Sequence, residues 1–198
     1  MIRSKRGRAG FTLLELLITV TLAALLMASL TSAFRSTGGT VRTVTTAMNL
    51  QVQGNRAMRD ILNGLRWADT GSLSVIPAPP FFTSEVQFVQ NTGFQDTESS
   101  WGPPLEIRYD PVLGEIVWTR HPGLPPERQL DRVRFVAPFY DGEIANGLDD
   151  NGNGLVDEPG FCMTREGDVL TLNLTLQGED SAGIMLTRSF TTRLHCRN

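Results

Sequence analysis

The 198-residue chain has one lysine, Lys5, two histidines, two cysteines and two tyrosines. It has no proline before Pro77, and Glu15 is the only charge between Phe11 and Phe34. Each shortage narrows the reading. His121 and His195 stand alone without metal-ligand spacing, and no Ser-His-Asp or Cys-His order sets a nucleophile beside a base. No glycine-rich loop follows a strand to cradle phosphate, so nothing argues for catalysis. Both cysteines, Cys162 and Cys196, lie well after the apolar run. In an oxidising compartment they can pair, closing a loop of about 35 residues for roughly 3–4 kcal/mol in the chain-entropy picture. The alternative is two unpaired thiols. The late first proline leaves nothing to break a long N-terminal helix.

What is present is concentrated at the start. Residues 1–10 carry Arg3, Lys5, Arg6 and Arg8 and no acid. The apolar run that follows, from Phe11 to Phe34, is about 24 residues, or roughly 36 Å of helix, enough to cross a bilayer. Positive charge ahead of such a span keeps that end in the cytoplasm and sends the rest outward. A secretory signal places small residues after its apolar core, whereas here Gly10 comes before it. A cut between Gly10 and Phe11 would leave the apolar helix on the mature protein. Glu15 is costly inside the run, by roughly 2.5–3.5 kcal/mol near a helix centre and less near an end, and it asks for a partner. Loss of residues 1–10 leaves 14 basic against 21 acidic residues, net −7. That balance argues against nucleic acid as a partner.

The run Gly10-Phe11-Thr12-Leu13-Leu14-Glu15 resembles the class III signal of type IV pilins and pseudopilins. The resemblance implies cleavage between Gly10 and Phe11 by a prepilin peptidase, N-methylation of Phe11, and an assembly role for Glu15. That carboxylate would neutralise the amino terminus of a neighbouring subunit. The resemblance also implies an α+β fold, with a long N-terminal helix, transmembrane in its first half, packed on an antiparallel β-sheet. Residues 51–68 are similar to the arginine-bearing helix continuation of J-type minor pseudopilins and W-type minor pilins. The implied role is a minor, non-enzymatic subunit of a type II secretion pseudopilus or a type IV pilus, priming the filament or sitting at its tip. The alternative is a tip adhesin or DNA-uptake subunit on the same scaffold. Implied partners are the peptidase, other pilins or pseudopilins, the inner-membrane assembly platform and the membrane itself. The implied location is the inner membrane, single-pass, with the C-terminal domain periplasmic, and then the filament.

Along the chain we expect a leader at 1–10, a membrane and assembly helix at 11–34, an amphipathic continuation at 35–69 and a β-rich domain at 70–198. Val41, Val44, Met48, Met58, Leu62 and Leu65 recur at helical offsets, so one helix is predicted from about Phe11 to Ala68, with a softened turn at Gly38-Gly39. From Val86 the period changes to two. Leu105, Ile107 and Tyr109 with Ile116 and Trp118 frame a hairpin. Val133, Phe135, Ala137 and Phe139 alternate as a strand. Leu170, Leu172, Leu174 and Leu176 form the cleanest strand, and Ile184, Leu186, Phe190 and Leu194 return as its partner. Phe81, Phe82, Trp101 and Trp118 are read as core or loop packing before a binding surface.

The segment 141–158 is rich in Asp, Asn and Gly. Asp149, Asn151 and Asn153 occupy positions 1, 3 and 5 of a calcium-loop pattern, with Gly154 at position 6. Leu155 can add a backbone carbonyl, Asp157 a further oxygen, and Glu158 or Asp141 can complete the shell. Gly160 stands where a full EF-hand has its bidentate Glu. The pattern therefore resembles the shorter calcium loops of extracellular repeats and dockerin-like modules. A weak Ca²⁺ site is expected, with an affinity on the order of 10⁻⁴–10⁻³ M. The alternative is a solvated Asn/Gly turn.

Overall fold

The computed structural model describes residues 12–95, 98–123, 127–180 and 182–195. Helix α1 runs Leu13–Arg66, 54 residues, with Glu15 in its first turn and Arg66 in its last. Opposite charges at those ends suit the helix dipole. The helix passes through Gly38-Gly39, so these glycines do not end it. The chain divides into two compact units, residues 1–43 and 44–198.

In the first unit Leu13, Leu14, Leu25 and Leu26 are all exposed. Leu13–Phe34 is long and apolar enough to cross a membrane. Thr12 caps the helix: its carbonyl accepts Leu16 N–H at 3.1 Å and its hydroxyl accepts Glu15 N–H at 3.2 Å.

Among the described residues the second unit carries nine strands, all pairings antiparallel. The first sheet has the order β1 (Glu85–Phe88), β4 (Leu105–Asp110), β5 (Glu115–Arg120), β6 (Arg128–Val133). Strands β2 (Asn91–Gln95) and β3 (Glu98–Trp101) form a separate pair. The third sheet has the order β7 (Phe161–Glu166), β8 (Val169–Glu179), β9 (Met185–His195). Both expected hairpins form: β4 pairs with β5 around Asp110–Gly114, and β8 pairs with β9 over eleven positions from Val169↔His195 to Glu179↔Met185. The architecture is the expected α+β arrangement.

The core explains which helix face turns inward. Leu50, Ala57, Met58, Ile61 and Leu65 are buried with Val86, Phe88, Ile107, Phe161, Met163 and the four leucines of β8. The spacing 50, 57, 58, 61, 65 marks one helical face. Three members of the expected stripe behave differently: Val41, Val44 and Met48 are exposed. The packing face includes Gly54 and Gly64, which no apolar count registers. A Cβ on Gly54 would run into the ring of Phe190, and one on Gly64 into the indole of Trp118.

The strand expected over Val133–Phe139 is shorter. β6 ends at Val133, and Phe135 adopts φ 67°, the left-handed region that no extended strand uses. Beyond it only single bridges form, Val136↔Leu176 and Phe139↔Pro159. This segment instead runs along the edge of β8 that β7 leaves open beyond Leu174: Ala137 N–H donates to Thr175 O at 2.9 Å and Gln177 N–H to Phe135 O at 2.8 Å. From Leu172 to Leu176 β8 is buried on both faces. Its leucines face the helix, while Asn173 and Thr175 are buried on the other side.

Candidate functional site

Two places carry the residues singled out from sequence. The first is the helix start. Gly10 and Phe11 lie outside the described residues. Glu15 is exposed on the third helical position after the Thr12 cap. Four other polar side chains of this span dispose of their hydroxyls within the helix. Thr19 donates to Leu16 O at 2.8 Å and Thr21 to Ile18 O at 2.9 Å. Ser29 donates to Leu26 O at 2.8 Å and Thr31 to Met27 O at 2.7 Å. Such back-bonding lets a hydroxyl sit in hydrocarbon without an external partner. A carboxylate has no proton to donate to a helical carbonyl, so Glu15 cannot use that route.

The second place is the acidic segment 141–158, with six acids and no base. Backbone amides organise it. Asp149 is a hub: one carboxylate oxygen accepts Gly152 N–H at 2.7 Å and Asn153 N–H at 3.1 Å, and the other accepts Gly154 N–H at 2.8 Å. Asp157, at φ 51°, reaches the far side of the loop and accepts Gly147 N–H at 2.9 Å and Asn146 N–H at 3.0 Å. Glu143, which the sequence pattern did not include, accepts Asn151 N–H at 2.9 Å and Asp157 N–H at 3.3 Å.

Of the six expected ligands the structure gathers three side chains. Asn151 and Asn153 both donate their side-chain amides to the same oxygen of Glu158, at 2.9 Å from Asn151. Glu158 is 0 % exposed. Asp149 and Asp157 direct their carboxylates at the loop backbone, and Leu155 is buried with its N–H on the Asn153 side-chain oxygen at 2.8 Å. Among the described residues no three His, Cys, Asp or Glu side chains converge as a metal-binding group. Gly160 is explained by contact: a Cβ there would strike the backbone of Ala137. No side chain fits, so the twelfth position cannot supply a ligand.

Cys162 is a free, buried thiol, and its expected partner Cys196 lies outside the described residues. The register places the described end of β9 away from Cys162. His195, next to Cys196, faces Val169, which faces Glu166, four residues along β7 from Cys162. That is ~13 Å along the strand and ~10 Å across two strand spacings. Cys162 accepts the Asn173 side-chain amide at 3.8 Å. Burial pushes its pKa up to about 12, the Asn173 hydrogen bond lowers it, and the charge of Glu158 raises it further.

The aromatic residues divide. Trp118 packs on the core beside Phe88, ring centroids 6.5 Å apart, whereas Phe81 and Trp101 are exposed and on separate segments. A polar-lined hollow of about 270 Å³ lies between Tyr140, Asn153, Thr164, Asn173, Thr191 and Arg193. Tyr140 and Thr191 share a hydroxyl contact of 2.7 Å on its wall.

Residues 5–31 match the family model of the prokaryotic N-terminal methylation motif. The match takes in Lys5, Arg6, Arg8, Gly10, Phe11, Glu15 and most of the apolar run. No match was found among curated proteins or among solved structures. That motif is the prepilin peptidase signal, and here it leads into a membrane-length helix in an α+β chain. The motif, with the membrane-length helix that follows it, is the N-terminal arrangement of type IV pilin-like proteins.

Proposed function

We propose that this protein is a minor pilin or pseudopilin of a type IV pilus or a type II secretion pseudopilus, acting in filament priming or at the tip. The observation that carries the reading is the isolation of Glu15. It is the single ionisable residue in an apolar helix whose neighbouring hydroxyls satisfy themselves. It stands four residues after Phe11 in the matched motif. Cleavage after Gly10 would create a charged amine on Phe11, held at the same depth in the membrane as a neighbour's Glu15. Each charge is costly alone in a low-dielectric setting, and pairing them across subunits removes both costs at one register. The helix would be stored in the inner membrane with the C-terminal unit in the periplasm. An assembly platform would then move it into a bundle of like helices.

Glu15→Ala tests this. The variant should be cleaved and N-methylated like the wild type, as read by mass spectrometry of the mature N-terminus. It should then fail to enter sheared filaments, or fail to nucleate them, when it replaces the wild-type copy. Normal incorporation of the variant would sink the docking role.

A further inference from the structure

We propose that the acidic loop holds a divalent cation of the calcium class, anchored by the buried carboxylate of Glu158. The sequence pattern alone is an acidic cluster. The structure adds an independent observation. Glu158 is 0 % exposed, and one of its two oxygens has no hydrogen-bond partner. The other oxygen is the meeting point of the Asn151 and Asn153 side chains. The loop contains no base, and among the described residues no Lys, Arg or His pairs with Glu158. A buried carboxylate with neither counter-charge nor full hydrogen bonding is costly and calls for a compensating partner.

The surroundings favour a hard cation with oxygen ligands. Asn151 and Asn153 present amides toward Glu158 while their oxygens accept Asn153 N–H at 3.0 Å and Leu155 N–H at 2.8 Å, and a half-turn of either amide trades that bond for an oxygen facing the carboxylate. Two amide oxygens facing one carboxylate repel one another when nothing lies between them. A cation at the centre reverses that sign. The Asp141 carbonyl is close to the Asn151 amide, at 3.4 Å, and adds a further oxygen. Asp149 holds the turn by gathering three backbone N–H groups, so the loop's shape does not depend on the ion. Carboxylate, amide and carbonyl oxygens select calcium over softer metals. With a single inner carboxylate the affinity should be weak, with a Kd on the order of 10⁻⁴–10⁻³ M as in extracellular modules.

The test uses the full chain in detergent micelles, stripped with a chelator. Calcium chloride should give a saturable heat with one site per chain and raise the Tm by about 5 °C at 10 mM. Magnesium chloride should give a smaller response. Glu158→Gln keeps the side-chain shape and removes the charge, and should abolish both responses. Asn153→Asp, at an exposed loop position, should tighten calcium binding by about tenfold by adding a carboxylate, which keeps the idea testable if Glu158→Gln fails to fold. The proposal is overturned by a wild-type protein with no saturable heat and no Tm shift. It is equally overturned by a folded Glu158→Gln that responds to calcium as the wild type does, by an Asn153→Asp that binds no more tightly, or by magnesium acting as strongly as calcium.

Discussion

Burial holds the Cys162 thiol protonated well beyond the range of an ordinary cysteine, to about 12 against 9.0. The folded state therefore keeps a proton that the unfolded chain releases near pH 9, and stability must fall as pH rises from there toward 12. At pH 10.5 the loss from this group alone is about 2 kcal/mol. Tyr109, whose hydroxyl donates to Ala137 O at 3.0 Å, is raised by its burial and by Asp110, so its contribution has the same sign. Comparing wild type with Cys162→Ala isolates the thiol. Denaturant titrations between pH 8 and 10.5 should show a steeper fall for the wild type. Parallel curves would mean that the thiol is not buried in its neutral form. What was legible at this scale followed from locality. The motif around Gly10, Phe11 and Glu15 was readable because it is contiguous, and the meeting of Asn151, Asn153 and Glu158 because one loop holds all three. Glu143 was not legible, since it reaches Asn151 from eight residues away through a fold that the pattern does not encode. The separation of Cys162 from the end of β9 was invisible for the same reason: it depends on register.

Elements were readable where one face is apolar and the other polar. β4, β5, β8 and β9 show period two, because each alternates between core and a different environment. β7 was missed because its first four residues, Phe161 to Thr164, are all buried, which leaves no alternation to detect. The inner face of α1 was displaced from the expected one because part of it is glycine. At Gly64 the absent side chain is what admits Trp118, and Gln90 donates its amide to the Gly64 carbonyl at 3.0 Å. Gly64→Ala sets two effects against each other. Helix propensity gains about 1 kcal/mol, while overpacking against a half-buried indole costs about 1–3 kcal/mol. Because Trp118 is also held against Phe88, the cost should prevail, giving a net loss of about 1 kcal/mol in urea unfolding. A gain of about 1 kcal/mol would show that the ring moves aside freely.

At the scale of the molecule, the two units meet water on opposite terms. Every member of the buried core lies between Leu50 and Leu194, within the second unit. The first unit buries none of its large apolar side chains, from Leu13 to Phe34. Stability should therefore reside in residues 44–198, and insolubility in what precedes them. The part of α1 beyond Thr43, residues 44–66, draws its stability as protein helices do from tertiary packing, here of Leu50, Ala57, Met58, Ile61 and Leu65 on the sheets. A fragment of residues 44–198 carries 12 basic and 20 acidic residues, net −8, which favours solubility. Expressed without the first 43 residues, it should be soluble without detergent and give a single cooperative melt by circular dichroism. Its Tm should match that of the corresponding transition of the full chain in micelles within a few degrees. If the fragment instead aggregates or unfolds without cooperativity, the apolar span contributes to the fold itself. In that case exposure of residues 13–34 could not be read as a surface kept for lipid and neighbouring helices.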